Sequence, residues 1–200
     1  CDPMKRNTKL ALASAAAALP LAGCFLLDGR RGQPGWEKLL DWRYAHRGLY
    51  DNGGGIPENS LAAFRRAAEG GFGAELDVHR TADGQLVVIH DSDLARVCGR
   101  EGKVEELSWE ELSRCRLLGT EEGIPLLSEV LPLFAGTAPL IVELKPIRGN
   151  EAVLAEETCA LLDSFPDLDY CLESFDPFAV LWLRKHRPEI IRGQLSQDFL

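Results

Sequence analysis

The chain has 200 residues, enough for one domain and a short appendage, and its 46% hydrophobic content is that of a protein with a packed core. Its 31 acidic residues exceed its 22 basic ones, and a net charge of −9 argues against a nucleic-acid-binding surface, which needs clustered Lys and Arg. An acidic protein can still handle an anionic ester where a bound cation reverses the sign locally.

The first predicted element is an address. Met4 reads as the natural start, with Cys1-Asp2-Pro3 as upstream read-through or the edge of a fragment. Lys5, Arg6 and Lys9 then precede an uncharged run from Leu10 to Leu27, the order of a bacterial export signal. Leu21-Ala22-Gly23-Cys24 resembles a lipobox, which implies acylation of Cys24 and cleavage before it. The apolar run is also long enough for an uncleaved membrane helix. Both readings stand, and both leave the domain outside the cytoplasmic membrane of a bacterial cell, tethered to it. Residues 1–27 are thus read as signal or anchor, 28–35 as a Gly- and Pro-containing linker, and 36–200 as the functional domain.

Within that domain short apolar runs alternate with longer helical stretches, the rhythm of βα units. Strands are predicted at Arg43–Ala45, Ala74–Val78, Leu86–Ile89, Leu140–Leu144, Tyr170–Leu172 and Ile190–Leu195. Leu61, Phe64 and Ala68 form an apolar stripe with Arg65, Arg66 and Glu69 outside, on a helix capped by Asn59 or Ser60 and stopped by Gly70-Gly71. Ser108-Trp109-Glu110-Glu111 is a capping box, and Asp176-Pro177 supplies a cap and an N1 proline for a helix from Phe178 to Arg187. Asp91 to Ser128 is too long for a simple βα loop and reads as an insertion. The four domain cysteines are expected as buried or free thiols, with a Cys98–Cys115 disulfide open to an extracytoplasmic protein. The pattern predicts a parallel α/β barrel, with a doubly wound sheet as the alternative; no Gly-rich phosphate loop supports the latter.

Ionisable residues gather at the predicted strand ends, where barrel enzymes place their chemistry. The first strand runs into His46-Arg47. The second ends Glu75-Leu76-Asp77, and residues two apart in a strand point the same way, so the two carboxylates converge. Their repulsion calls for a positive charge between them, and oxygen ligands favour a hard cation, Mg²⁺ or Ca²⁺, over zinc. The third predicted strand ends in His90-Asp91, and the fourth places Glu143 and Lys145 on one face. Each residue alone has an ordinary explanation as a solvated or packed side chain. Four successive strand ends carrying such groups do not.

The motifs Ala45-His46-Arg47-Gly48, Pro57-Glu58-Asn59-Ser60, Glu75-Leu76-Asp77-Val78, Thr81 with Asp83-Gly84, Val87 to Asp91, Ile124-Pro125 with Glu129-Val130, Glu143-Leu144-Lys145 and Ser174-Phe175-Asp176-Pro177 together resemble the glycerophosphodiester phosphodiesterase family, from about Trp42 to Leu195. Ser60 stands where many members carry Thr. The resemblance implies a TIM (β/α)8 barrel of the phospholipase C-like phosphodiesterase type, binding one divalent cation, Mg²⁺ or Ca²⁺, through Glu75, Asp77 and Glu143. It implies His46 and His90 as the acid and base, and Arg47 and Lys145 as phosphate contacts. The implied reaction is hydrolysis of a small-molecule glycerophosphodiester to sn-glycerol 3-phosphate and an alcohol, with water or the glycerol 2-hydroxyl attacking. A lipid-cleaving relative of the sphingomyelinase D or lysophospholipase D kind, and a silent membrane-tethered binding module, are the alternatives. No nucleic acid and no obligate protein partner are implied.

Six strands fall short of eight, so the domain is expected to be truncated after about six, with the start lacking Met and the end at Asp198-Phe199-Leu200 agreeing. Fractionation of cells expressing the whole sequence is expected to find the protein in membranes, its domain open to external protease. Cys24→Ser abolishes acylation on the lipobox reading and changes nothing on the uncleaved-helix reading; a soluble cytoplasmic protein with an intact amino terminus would exclude both.

Overall fold

A computed structural model describes residues 33–196. The signal or anchor reading of 1–27, most of the linker and the last four residues lie outside the described residues. From Gln33 onward the elements run α1 Glu37–Leu40, β1 Tyr44–His46, α2 Leu61–Glu69, β2 Gly73–Arg80 and β3 Leu86–Val88. Then come α3 Ala95–Cys98, α4 Trp109–Leu112, α5 Leu127–Val130, β4 Leu140–Leu144, α6 Glu151–Leu162, β5 Tyr170–Ser174, α7 Pro177–His186 and β6 Arg192–Gln194. No helix among the described residues is long and apolar enough to cross a membrane.

The strand β2 organises the sheet. It lies parallel between β1 and β4, and is buried from Gly73 to His79, as a central strand covered on both faces must be. The order is β1-β2-β4-β5-β6, all parallel, with β3 pairing β2 to one side. Ala74, Leu76 and Val78 point outward and join Phe64, Ala67, Phe134, Leu154 and Leu172 in the main core. The alternate residues, Glu75 and Asp77, therefore point to the other face, towards the barrel axis.

One strand departs from expectation. Leu86–Val88 is not the third βα strand of a barrel but the return arm of a hairpin, antiparallel to β2 with Val78 opposite Val88 and Arg80 opposite Leu86. The turn explains it: Thr81 Oγ1 accepts from Gln85 N at 2.8 Å and donates to Asp83, and Gly84 adopts φ +86°, a conformation that favours glycine. The described barrel strands therefore number five. The returning chain still delivers His90 to the site, because Ile89 N donates to Asp77 O at 3.0 Å.

Local signals fare well elsewhere. Ser60, not Asn59, caps α2, its Oγ accepting from Ala63 N, and the buried stripe is Ala63, Phe64 and Ala67. The Ser108 capping box and the Asp176 cap both form. The region from Asp91 to Ser128 contributes to a second small core, in which Leu94, Val97, Val104, Leu112, Cys115, Leu117 and Ile124 pack on Val87 and Ile89. Cys98, Cys115, Cys159 and Cys171 are free thiols.

Phe64 is fully buried and meets Phe134 edge-on, ring centroids 6.3 Å apart at 79°. Phe64→Ala is expected to destabilise the protein by about 3–5 kcal/mol, measured by denaturant unfolding, since both the transfer energy and the edge contact are lost.

Candidate active site

Register brings three carboxylates to one point. Asp77 on β2 lies beside Glu143 on β4, and Glu75 stands two residues before Asp77 on the same face. One oxygen from each of Glu75, Asp77 and Glu143 lies within 4.8 Å of the others, and all three residues are buried. Burial, then the neighbouring charge of Asp77, pushes the Glu75 carboxyl up to about 8. Glu143 is raised as well, by burial first, with Lys145 pulling it back and Asp77 adding to the rise. Glu173, beside Glu143 on β5, is a fourth carboxylate raised by burial and by Glu143.

Asp77 Oδ1 and Glu143 Oε1 are buried, and neither takes a well-directed hydrogen bond. Lys145 meets them as a charge, its Nζ 3.1 Å from Asp77 Oδ1 and 2.7 Å from Glu143 Oε1. Burial disfavours the ammonium, but Asp77 and Glu143 outweigh it and hold Lys145 protonated. Hard anionic oxygens, buried and short of donors, are the donor set of a divalent cation, and the three residues fit one.

The β1–α2 segment builds the next wall. His46 ends β1 opposite Glu75, its Nε2 3.8 Å from Glu75 Oε2 and its side chain exposed. The partial burial of its ring, followed by the charge of Arg47, lowers its pKa and so favours the neutral imidazole. The chain then turns sharply. Arg47 takes φ +56°, its N donating to Glu75 Oε2 at 3.0 Å and its carbonyl accepting from Asn59 N at 2.9 Å. A non-glycine residue in this conformation costs on the order of 1 kcal/mol or more, and such strain concentrates at functional sites. At Gly48, φ +77°, an added Cβ would come within 2.9 Å of the Ala63 backbone, so the turn packs hard onto α2.

The guanidinium of Arg47 donates to Glu58 at 2.8 Å and leaves Nε, 3.7 Å from Asp77 Oδ2, with no hydrogen-bond partner. Asn59 Nδ2 donates to Asp77 Oδ2 at 2.8 Å, which explains why it does not cap the helix. Across the site His90 Nδ1 lies 2.6 Å from Asp91 Oδ1. Arg96 on α3 donates to both Asp91 and Glu58. Behind His90, the buried His79 bridges two oxygens, its Nδ1 2.6 Å from Glu105 Oε1 and its Nε2 3.1 Å from the His90 carbonyl.

The seven residues singled out from sequence, His46, Arg47, Glu75, Asp77, His90, Glu143 and Lys145, thus belong to the same end of the sheet. The support around them went unassigned: Glu58, Asn59, His79, Asp91, Arg96, Glu105 and Glu173. Glu58, Asn59 and Asp91 stood in quoted motifs, and Glu173 lies one residue past the predicted strand Tyr170–Leu172, near the end of the observed β5. For Arg96 and Glu105, inside the presumed insertion, no local pattern marks a role.

The family model described as the glycerophosphoryl diester phosphodiesterase family matches residues 46–199. A glycerophosphodiester phosphodiesterase of Bacillus altitudinis is 39% identical over 167 residues, covering 78% of this chain and 67% of that protein. A lysophospholipase D of Rattus norvegicus is 33% identical over 142 residues, 64% of this chain and 43% of that protein. Among solved structures, an Oleispira antarctica phosphodiesterase in complex with the product sn-glycerol-3-phosphate superposes with a TM-score of 0.72 at 30% identity, covering 80% of this chain and 68% of that one. The chain spans about two thirds of the length of its bacterial relatives. With this match running from the end of β1 through β6 and taking in every carboxylate described above, the chain belongs to the glycerophosphodiester phosphodiesterase family of TIM-barrel enzymes.

Proposed function

We propose that this protein hydrolyses glycerophosphodiesters to sn-glycerol 3-phosphate and an alcohol, using Mg²⁺ or Ca²⁺ held by Glu75, Asp77 and Glu143. The observation that carries the reading is the convergence of these buried carboxylates beneath Lys145, flanked by two imidazoles. Bound there, the dication supplies Lewis-acid neutralisation of the phosphodiester charge.

The chain's own groups supply the rest. Arg47 and Lys145 contact the phosphate oxygens; Arg47 has an uncommitted Nε, and Lys145 keeps its charge. Of the two imidazoles, one takes the proton of the attacking oxygen and the other protonates the departing alkoxide. Partial burial and the charge of Arg47 lower the His46 pKa, which favours the form able to accept a proton. His90 has Nδ1 committed to Asp91, which leaves Nε2 for the substrate. On the reading of Leu10–Leu27 as signal or anchor, the substrate is met outside the cytoplasmic membrane, at or near the lipid surface.

A second reading, cleavage of lysophospholipids, draws on the rat relative and on the exposed side chains of Ile147 and Phe175, which follow β4 and β5 at the mouth. Release of glycerol 3-phosphate from glycerophosphocholine, compared with release of choline from lysophosphatidylcholine, separates the two. A silent binding module would release neither.

Activity is expected to disappear in excess EDTA and return with Mg²⁺ or Ca²⁺. His46→Ala and His90→Ala should each lower kcat by roughly 10²-fold or more, with KM rising less than in Arg47→Ala. Near-normal turnover in both histidine variants, measured as glycerol 3-phosphate released, would remove them from the chemistry.

The raised carboxyl of Glu75 has a thermal signature. Its pKa is 4.5 when free and about 8 in the metal-free fold, so its contribution to stability is fully present below 4.5 and lost as pH rises towards 8. In EDTA, melting temperature should therefore fall over that window, and Glu75→Gln should flatten the fall. At the alkaline end, added Mg²⁺ or Ca²⁺ should raise the midpoint of the parent protein and not that of the variant. A metal-free midpoint indifferent to both Glu75→Gln and cation would contradict the assigned ligands.

A further inference from the structure

Arg96 sits at no strand end. It lies on α3, a helix of the second small core, and its side chain is half exposed. Three of its nitrogens nevertheless reach into the site and divide between two carboxylates. Nε donates to Asp91 Oδ2, while Nη1 and Nη2 donate to Glu58 at 3.1 and 2.7 Å. Each carboxylate holds a different group of the site. Asp91 Oδ1 holds Nδ1 of His90 at 2.6 Å, and Glu58 Oε1 holds Nη1 of Arg47 at 2.8 Å.

We propose that Arg96 is a positioning residue for phosphodiester cleavage, a single guanidinium that clamps Asp91 and Glu58 together and so sets both the His90 imidazole and the Arg47 guanidinium. The inference rests on the proposed activity and adds to it a residue that touches neither substrate nor metal ligands.

The argument for His90 is orientational. The Asp91 side chain is 27% exposed and belongs to the loop after β3, so water competes for it. With one oxygen fixed by Arg96, the other is aimed at His90 Nδ1. That selects the tautomer and presents Nε2 to the substrate. The argument for Arg47 is one of competition. The Glu58 side chain is only 7% exposed, and its carboxylate is shared among Arg96, Arg47 and Asn52. Burial works against its ionised form, but Arg96 foremost, with Asn52 and Arg47, holds its pKa down to about 2. If Arg96 is removed, Arg47 becomes the sole cation hydrogen-bonded to Glu58 among the described residues and is drawn onto it, away from the phosphate. One side chain therefore governs a group that moves a proton and a group that binds charge.

Lysine cannot replace it. A guanidinium offers N–H groups in a fixed planar fork that spans two carboxylates at once, whereas an ammonium on a flexible stem satisfies one geometry at a time.

The test uses the full chain with its divalent cation, and compares Arg96→Met and Arg96→Lys with Arg100→Met. Arg100 lines the same surface cleft as Arg96, and its Nη1 lies against Cys115 Sγ at 3.8 Å. Both Arg96 variants are expected to lose kcat by about 10-fold or more and to raise KM severalfold, while Arg100→Met leaves both within about twofold. In a double-mutant cycle, Asp91→Asn added to Arg96→Met should lower kcat little further, because both act through one contact; likewise Glu58→Gln should add little to the KM defect. A third readout needs no turnover. The downfield proton resonance of His90 Nδ1–H, assigned by its loss in His90→Ala, should move or vanish in Arg96→Met and persist in Arg100→Met.

Wild-type kinetics in Arg96→Met, or losses that multiply independently with Asp91→Asn, would overturn the proposal. Should Arg96→Met fail to fold, Arg96→Lys carries the same comparisons. If the parent protein releases no glycerol 3-phosphate, the proposed function falls, and an unmoved His90 resonance in the Arg96 variants would then remove the clamp as well.

Discussion

Three carboxylates buried within a few ångströms of one another are the constraint to which the rest of this molecule answers. Left to themselves, Glu75, Asp77 and Glu143 repel, and burial denies them water. The fold responds with donors and charge: the Arg47 amide on Glu75, the Asn59 amide on Asp77, the Lys145 ammonium across Asp77 and Glu143. These leave Asp77 Oδ1 and Glu143 Oε1 without directed partners. That residual deficit is what a dication would relieve, and it ties metal affinity to the proton uptake of the same groups.

The backbone bends around this need. Arg47 and Asn59 both adopt positive φ, and each places a donor on a carboxylate. Asparagine tolerates this conformation better than most residues, whereas nothing in the arginine side chain favours it. The segment between β1 and α2 is held by long-range contacts: Leu49 N on Ala63 O, Asn59 N on Arg47 O, and Gly48 pressed against Ala63. Local strain is thus offset by packing of α2, whose own stability comes from Phe64 and Ala67 in the core rather than from the site it supports.

Outside the three carboxylates, a second tier of polar contacts holds His90 and Arg47. His79 and Glu105 fix the backbone at His90, and Arg96 joins Asp91 to Glu58. Several of these residues lie on the stretch after β3 that carries its own small core. That core has a purpose beyond covering the sheet. It gives a firm base to Arg96 and Glu105, which a flexible loop could not hold to hydrogen-bonding distance.

Much of this was legible in the chain itself, for a specific reason. The period of two in a strand is local, so Glu75-Leu76-Asp77 and Glu143-Leu144-Lys145 announce their shared faces without a fold. Caps are local too, and Ser60, Ser108 and Asp176 act where the sequence places them. What tertiary structure decided is everything that depends on register and direction between distant segments. Asp77 meets Glu143 because β2 and β4 pair in one register among several that their apolar patterns would permit. Leu86–Val88 has the composition of any buried strand, and only the Thr81–Gly84 turn and its pairing with β2 make it antiparallel. Arg96 reads as one more charge on a short helix. Its contacts with Glu58, 38 residues away, and with Asp91 exist only once two separate cores have packed, because no periodicity along the chain encodes a distance across it.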